Sequence, residues 1–191
     1  MEIAQLFEFM ELVGRLKHMK RTGWVRQGID DAETIAGHMY RMAVLALLVD
    51  TKENINKTKV MEMALVHDLA EAIVGDITPH CGVSVEEKHR REDEAMIEIS
   101  KLLGDKGPDT LRLFREYESR ESPEAKYVKD LDRLDLIMQA YEYEKRDQTH
   151  GKLEEFFTGT TEHISHPLLK KMANEIMTRR AELIVPPTVE H

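Results

Sequence analysis

Apolar residues recur along this chain at spacings of three and four positions, the periodicity of amphipathic helices, and not in the alternation typical of strands. Over residues 2–19 they form one face, at Ile3, Leu6, Phe7, Met10, Val13 and Leu16. Similar segments predict helices over about residues 31–50, 56–74, 85–103, 109–119, 123–146 and 167–183. We therefore expect an all-α protein, a single-domain helical bundle over residues 1–185 followed by a tail at 186–191.

Short polar residues and glycines mark the expected ends of these helices. The predicted N-caps are Asp30 or Asp31, Asn56, Ser84 and Ser122, and Glu87 follows Ser84 at the spacing of a capping box. Gly75 and Gly104 are predicted to end the helices before them. The stretches KRTGWVRQG at 20–28 and DITPHCG at 76–82 are predicted to be loops.

The composition argues against several classes of function. A formal net charge of −9 and a pI near 5.5 argue against binding to a nucleic-acid polymer. The longest apolar run, MAVLALLV at 42–49, is far shorter than the roughly 20 residues of a membrane span. Cys81 is the single cysteine, which excludes an intramolecular disulfide and a cysteine-based zinc site. The N-terminal segment lacks the pattern of a signal peptide, so we expect a cytoplasmic protein without membrane contact.

The segment ALVHDLAEAIVGD, residues 64–76, contains ionisable side chains in an otherwise apolar helix: His67, Asp68, Glu71 and Asp76. His67 and Glu71 are four residues apart, so they share one face of a continuous helix. A buried carboxylate is costly unless it is ion-paired or ligates a metal. The segment is therefore interpreted either as a metal-binding helix or as a salt-bridged helix end with a hydrogen-bonded histidine.

Two further segments bring similar side chains toward the predicted core. His38 lies just ahead of the most apolar segment of the chain. In the longest predicted helix, Asp132 and Asp135 share a face with Val128 and Leu131. Imidazole and carboxylate together suit a divalent transition metal, and helical bundles hold such ligands between facing helices.

His38, the adjacent pair His67–Asp68, and then Asp132 resemble the H…HD…D signature of the HD-domain metal-dependent phosphohydrolases. The segments ETIAGH, HDLAEAIVGDI, EEKHRREDEAM and AKYVKDLDRLDLIMQAYEYE are similar to the 5′-deoxynucleotidase branch of that family, including its eukaryotic members. The similarity spans roughly residues 5–180 in the same order. It implies that the helical bundle is of the HD-domain type.

The resemblance assigns a catalytic divalent metal ion to four ligands: His38, His67, Asp68 and Asp132. Asp135 is the substitute for Asp132 if the helix is rotated. The expected ion is Mn, Co, Zn, Fe, Ni or Mg, since histidine and aspartate ligands do not select among them.

The resemblance also implies roles for residues around the metal. Glu71 and Asp76 match acidic residues that act in catalysis. In some members these residues hold a second cation together with the backbone carbonyl of the next residue, here Ile77. Arg21 lies where the family binds phosphate, and Trp24 lies near where an aromatic residue contacts the nucleoside.

We therefore expect an enzyme that hydrolyses deoxyribonucleoside 5′-monophosphates to deoxynucleoside and phosphate by attack of a metal-activated water. The expected partners are a small-molecule nucleotide and a second copy of the chain in a homodimer. One alternative is another HD phosphohydrolase, acting on nucleoside triphosphates, cyclic nucleotides or guanosine tetraphosphate. Another is a non-catalytic HD scaffold that binds nucleotide or metal. The charged block at 88–93 is interpreted as a solvated helix face, with contact to phosphate or a partner subunit as the alternative.

Overall fold

The computed structural model describes residues 2–50 and 52–184. Its helices are α1 (Ile3–Leu16), α2 (Thr22–Arg26), α3 (Ile35–Leu45), α4 (Lys57–Val66), α5 (Glu71–Val74), α6 (Val85–Leu102), α7 (Gly107–Ser119), α8 (Pro123–Asp147), α9 (Glu154–Phe157) and α10 (Pro167–Ile184). Within these two ranges no strand is present, only an isolated antiparallel bridge between Lys20 and Thr34. The predicted all-α class is confirmed. The predicted tail at 186–191 lies outside the described residues.

The chain divides into two compact units, with the boundary between Val128 and Lys129 inside α8. In the first unit, α3 packs against α4, α6 against α7, and α1 against both α5 and α6. One apolar cluster joins α1, α3, α6, α7 and the segment at and just before α5, at Leu12, Leu16, Ile35, Met39, Leu69, Ala70, Ala72, Ala95, Met96, Ile99 and Phe114. None of the helices described here combines the length and apolar character that a membrane span needs.

A buried ion pair organises the second unit. The fully buried carboxylate of Glu144 on α8 accepts hydrogen bonds from Arg180 Nε at 2.7 Å and from the Leu153 backbone N–H at 2.8 Å. The Arg180 guanidinium also lies 3.8 Å from the centre of the Phe157 ring. Because α10 carries Arg180 and α9 carries Phe157, this pair holds both helices on α8.

Three predicted N-caps are confirmed. Asn56 Oδ1 accepts the N–H of Lys59 at 3.2 Å, and the hydroxyls of Ser84 and Ser122 accept equivalent N–H groups three residues on. The helices that follow these caps begin within a residue of their predicted positions. α10 also has nearly its predicted bounds, whereas the short helix α9 was not predicted.

The predicted start of the second helix is wrong. Instead of Asp30 or Asp31, the N-cap is Thr34, whose hydroxyl accepts the N–H of Gly37 at 3.0 Å. Asp31 has a φ of 51°, which a helix does not allow. The segment 20–28, predicted to be a loop because of its two glycines, also contains the short helix α2.

The long helix predicted over about 56–74 is interrupted. α4 ends at Val66, and α5 begins at Glu71. Between them the backbone bonds reach back only three residues, from Leu69 N to Val66 O at 3.0 Å and from Glu71 N to Asp68 O at 3.1 Å. The chain therefore continues as a tighter turn, and His67 and Glu71 do not lie on one α-helix. Gly75, with a φ of 78°, ends α5 as predicted.

The apolar face predicted for α1 is largely exposed. Ile3 is 79% exposed, Phe7 61% and Met10 68%, whereas Leu16 is 2% exposed. The buried side of α1 is instead formed by Leu12 and Leu16. The helix therefore has two apolar sides, of which one packs in the core of the first unit and one faces outward.

Candidate active site

His67 has its imidazole oriented by the backbone. It forms the C-cap of α4 and is 4% exposed. Its Nδ1 lies 2.9 Å from the carbonyl oxygen of Ala64. Because a carbonyl only accepts, Nδ1 carries a proton and donates it, which leaves Nε2 as the ring nitrogen that faces Asp68. Nε2 is buried and makes no hydrogen bond to any described residue.

His38 lies next to His67, although the two are 29 positions apart in sequence. It is fully buried on α3, and its ring meets that of His67 edge to face with the centroids 5.4 Å apart. Both histidines face the same carboxylate oxygen, Oδ2 of Asp68, which lies 3.2 Å from Nε2 of His67 and 3.7 Å from Nε2 of His38. The predicted grouping of these three residues is present in the first unit.

Arg21 completes this cluster. Its Nη1 donates a hydrogen bond of 3.0 Å to the same Oδ2 of Asp68. Burial alone favours the neutral acid, but His67, Arg21 and His38 together hold the pKa of Asp68 below its usual range. Asp68 is therefore ionised at neutral pH.

The pKa of Glu71 is shifted in the opposite direction to that of Asp68. It is 3% exposed at the start of α5, and its buried Oε2 has no hydrogen-bond partner among the described residues. Burial and the nearby charges of Asp68 and Asp76 raise the pKa of Glu71 well above its usual value. Two neighbouring carboxyl groups thus have pKa values shifted in opposite directions by their surroundings, a pattern common in active sites.

Asp76 connects the loop after α5 to the start of α2. Its Oδ2 accepts the backbone N–H of Thr22 at 2.7 Å, and its own carbonyl oxygen accepts the Thr22 hydroxyl at 2.8 Å. Because Arg21 is the N-cap of α2, these bonds help to fix the backbone that carries its guanidinium. Ile77 follows directly and is 8% exposed.

Trp24 occupies the core of the first unit. It is 1% exposed, and its indole N–H donates to Oε1 of Glu33 at 2.9 Å. This burial leaves almost no surface of the ring for contact with a ligand, so Trp24 anchors α2. The N–H of Arg21 also donates to the Glu33 carbonyl, at 3.1 Å, which attaches both residues to the same segment.

Asp132 lies on α8 in the second unit. Its side chain is 17% exposed, and Oδ2 accepts a hydrogen bond of 2.6 Å from Nζ of Lys129. The face predicted for this helix is only partly observed: Leu131 is fully buried, but Asp135, at 0% exposure, is more deeply buried than Asp132.

Asp130 has a structural role. One of its oxygens accepts the N–H groups of Ser165 and His166, each at 2.8 Å, and the other accepts from Nη1 of Arg133 at 3.1 Å. These bonds anchor the segment before α10. The carboxylate of Asp130 is therefore occupied by hydrogen bonds from backbone N–H groups, which distinguishes it from its neighbour Asp132.

Glu92 is a buried carboxyl group that the sequence interpretation missed. It is 7% exposed on α6, and its Oε1 lies 3.5 Å from Nζ of Lys88. Burial, opposed by Lys88 and reinforced by Glu118 and Asp68, raises the pKa of Glu92 to about 7. The signal was available: Glu92 is in helical register with buried Ala95, Met96 and Ile99.

The first unit fits a divalent cation. His38, His67 and Asp68 supply two imidazoles and a carboxylate, the donor types that divalent transition metals accept. Nε2 of His67 and Oε2 of Glu71 are buried without hydrogen bonds among the residues described, as expected of atoms that face an ion. The bond from His67 Nδ1 to Ala64 is the outer support that metal-bound histidines ordinarily have.

This histidine–aspartate cluster on an all-α scaffold defines a recognisable class of protein. A family model described as "HD domain" matches residues 13–173, most of the chain and parts of both compact units. The chain belongs to the HD domain family, which implies a divalent metal ion.

The similarity extends to particular relatives. Mouse 5′-deoxynucleotidase HDDC2 is 45% identical over 182 residues, which cover 93% of this chain and 89% of the mouse protein. The 5′-deoxynucleotidase hdd1 of Schizosaccharomyces pombe is 44% identical over 179 residues, covering 91% and 89%. A crystal structure of a Pyrococcus horikoshii OT3 protein has a TM-score of 0.73 at 33% identity and covers 93% of this chain and 99% of that chain. The predicted resemblance to the 5′-deoxynucleotidase branch is confirmed.

Replacing Glu92 by Gln should change how stability depends on pH. Because folding raises the pKa of Glu92 from 4.5 to about 7, its contribution is most favourable below pH 4.5 and is lost as the pH rises through about 7. The free energy of unfolding of Glu92→Gln relative to wild type should therefore increase by roughly 1–2 kcal/mol between pH 5 and pH 8 in urea titrations. The exposed Glu98→Gln on the same helix is the control, and an equal increase in that variant would contradict the assignment to Glu92.

Proposed function

We propose that this protein is a metal-dependent 5′-deoxynucleotidase, which hydrolyses deoxyribonucleoside 5′-monophosphates to deoxynucleoside and phosphate. The observation that carries the proposal is the convergence of two histidines and Arg21 on Asp68, in a chain 45% identical to a mouse protein named for this activity. A small-molecule nucleotide is accordingly the substrate.

The metal is assigned to His38, His67 and Asp68 of the first unit, and the sequence resemblance adds Asp132 as the fourth ligand. A divalent ion bound there would lower the pKa of water and neutralise phosphate charge, so that hydroxide is available at neutral pH. The donor set suits Mn, Fe, Co, Ni or Zn, and Mg is the further candidate.

Glu71 is proposed as the general base. Its pKa is raised above that of an ordinary carboxylate, which makes its ionised form a stronger proton acceptor. Oε2 of Glu71 would take a proton from the attacking water as the water oxygen forms a bond to phosphorus. The bond from phosphorus to the 5′ oxygen then breaks, and that oxygen takes the proton held by Glu71, directly or through Asp76.

Arg21 is proposed to bind the phosphate group, and Asp76 is proposed to act at the leaving oxygen. The planar guanidinium of Arg21 suits the oxygens of a phosphate, and its bond to Asp68 keeps it beside the cluster. Asp76 is proposed to assist the leaving oxygen, either by passing it a proton or, with Glu71 and the backbone carbonyl of Ile77, by holding a second cation. Trp24 would support substrate binding by fixing α2.

We also propose a cytoplasmic homodimer. The exposed apolar stripe of Ile3, Phe7 and Met10 on α1 supports the dimer, because exposed apolar patches commonly mark interfaces. An exposed single cysteine, Cys81, is consistent with a reducing compartment.

The metal-loaded protein should release inorganic phosphate from deoxynucleoside 5′-monophosphates. A panel of nucleotides with added Mn²⁺, Co²⁺, Mg²⁺ or Zn²⁺ measures this, and elemental analysis identifies the bound ion. Glu71→Gln should lower kcat by about 10²- to 10⁴-fold and retain the metal, whereas Asp93→Asn on the surface of α6 should match wild type. Release of tripolyphosphate, pyrophosphate or a linear nucleotide would indicate another HD phosphohydrolase, and no turnover with any metal would indicate a scaffold.

Asp130 and Asp132 should respond differently to the same substitution. Asp132→Asn should lower the metal content and kcat with little change in the free energy of unfolding. Asp130→Asn should lower that free energy by roughly 1.5–3 kcal/mol, since it weakens the bonds before α10, and leave the folded protein active. If Asp130→Asn loses the metal while Asp132→Asn keeps it, the two roles are exchanged.

Substitution of the outward stripe should dissociate the proposed dimer. Light scattering should give twice the chain mass for wild type and the mass of one chain for Phe7→Glu, because a charge on the stripe cannot be buried unpaired. Glu8→Lys, exposed on the same helix, is the control. A wild-type protein that is monomeric at all concentrations would contradict the homodimer.

A further inference from the structure

The charged block at 88–93 contains one pair that differs from its surroundings. The exposed side chains of Arg90 and Arg91 both bond the carboxylate of Glu87 on the surface of α6, as predicted for a solvated face. Lys88 and Glu92 form a separate pair, in which Nζ lies 3.5 Å from Oε1 and the Glu92 side chain is only 9% exposed. A buried carboxylate is costly, so its presence beside Lys88 calls for a specific explanation.

Lys88 interacts electrostatically with acidic residues of the candidate active site. α6 packs against α5, the helix that begins with Glu71. Burial lowers the pKa of Lys88, but the carboxylates of Glu92, Glu71, Asp68 and Asp76 together raise it above its usual value. The positive charge of Lys88 is therefore electrostatically coupled to three acidic residues of the site, from a helix that packs against α5.

We propose that Lys88 binds the phosphate group of the substrate and that Glu92 is the positioning residue that holds its ammonium group. This inference rests on the proposed phosphomonoesterase function. A phosphate dianion that approaches Asp68, Glu71 and Asp76 meets like charges, and cations must offset them. Arg21 is bonded to Asp68, and Lys88 supplies a second positive charge from a different helix.

The position of Glu92 explains why this lysine stays at the site. Residues four apart share a face of a helix, so the Glu92 carboxylate draws the long side chain of Lys88 along α6. Without such a partner, lysine extends its ammonium group into bulk water. Glu92 cannot follow it outward, because its own side chain lies in the register of buried Ala95 and Met96.

Inorganic phosphate is the probe for this role. Calorimetric titration of the metal-loaded protein should show binding about 10- to 100-fold weaker in Lys88→Met than in wild type, the range for a lost hydrogen bond to a charged group. Lys88→Arg should be intermediate because it keeps the charge. Lys101→Met, at an exposed position of the same helix, should bind phosphate like wild type. The metal content should be equal in all four proteins.

The kinetic readout separates positioning from folding. Lys88→Met should raise KM for the best deoxynucleotide by more than it lowers kcat. Glu92→Gln should raise KM several-fold with a smaller change in kcat, and Glu92→Asp should recover part of that loss. A KM for Glu92→Gln equal to wild type would overturn the role of Glu92.

Two results would overturn the role of Lys88. Phosphate binding by Lys88→Met equal to wild type would exclude contact with phosphate. Loss of metal in that variant would show that Lys88 only balances the charge of the carboxylates. If wild type binds phosphate but hydrolyses no deoxynucleotide, the proposed function fails, while the comparison of phosphate affinities still decides the role of Lys88.

Discussion

The structure of the first unit depends on one carboxylate oxygen. Oδ2 of Asp68 lies 3.0 Å from Arg21, 3.2 Å from His67 and 3.7 Å from His38. Asp68 is largely removed from water, so its negative charge requires these neighbours, and removal of a partner leaves an uncompensated buried charge. The neighbours come from the start of α2, from α3 and from the end of α4. The position of these three segments relative to one another is therefore constrained by the electrostatics of a single side chain.

Backbone hydrogen bonds keep the charged groups of this cluster in place. The Ala64 carbonyl orients the His67 ring, and the bonds between Asp76 and Thr22 fix the start of α2 and with it Arg21. The same surroundings shift the pKa values of two nearby acids in opposite directions, because the histidines and Arg21 lower that of Asp68 while burial and like charges raise that of Glu71. A ligand for a cation and a group able to take a proton thus arise from the same residue type, through the environment of each.

The sequence predicted most long helices correctly because their signals are local. Asn56, Ser84 and Ser122 accept N–H groups three residues on, an interaction that depends only on neighbouring backbone. The failures have non-local causes. Asp31 was a suitable cap by type, but Lys20 pairs with Thr34, which is distant in sequence, and Thr34 caps α3 instead. Periodicity also could not decide which apolar side of α1 is buried, because the helix has two.

From the sequence alone, the order of chemical groups was determined: a histidine, a histidine–aspartate pair, acidic residues beyond it and a later aspartate, all on helices. That order indicated the family and the class of cofactor, since residue type and order do not depend on packing. Only the tertiary structure decided which carboxyl groups have raised or lowered pKa values, that Trp24 is an anchor with almost no exposed surface, and that Asp130 bonds the backbone before α10. It also revealed the pair of Lys88 and the buried Glu92 on α6. These properties arise from burial and from charges distant in sequence, which exist only once the helices are packed.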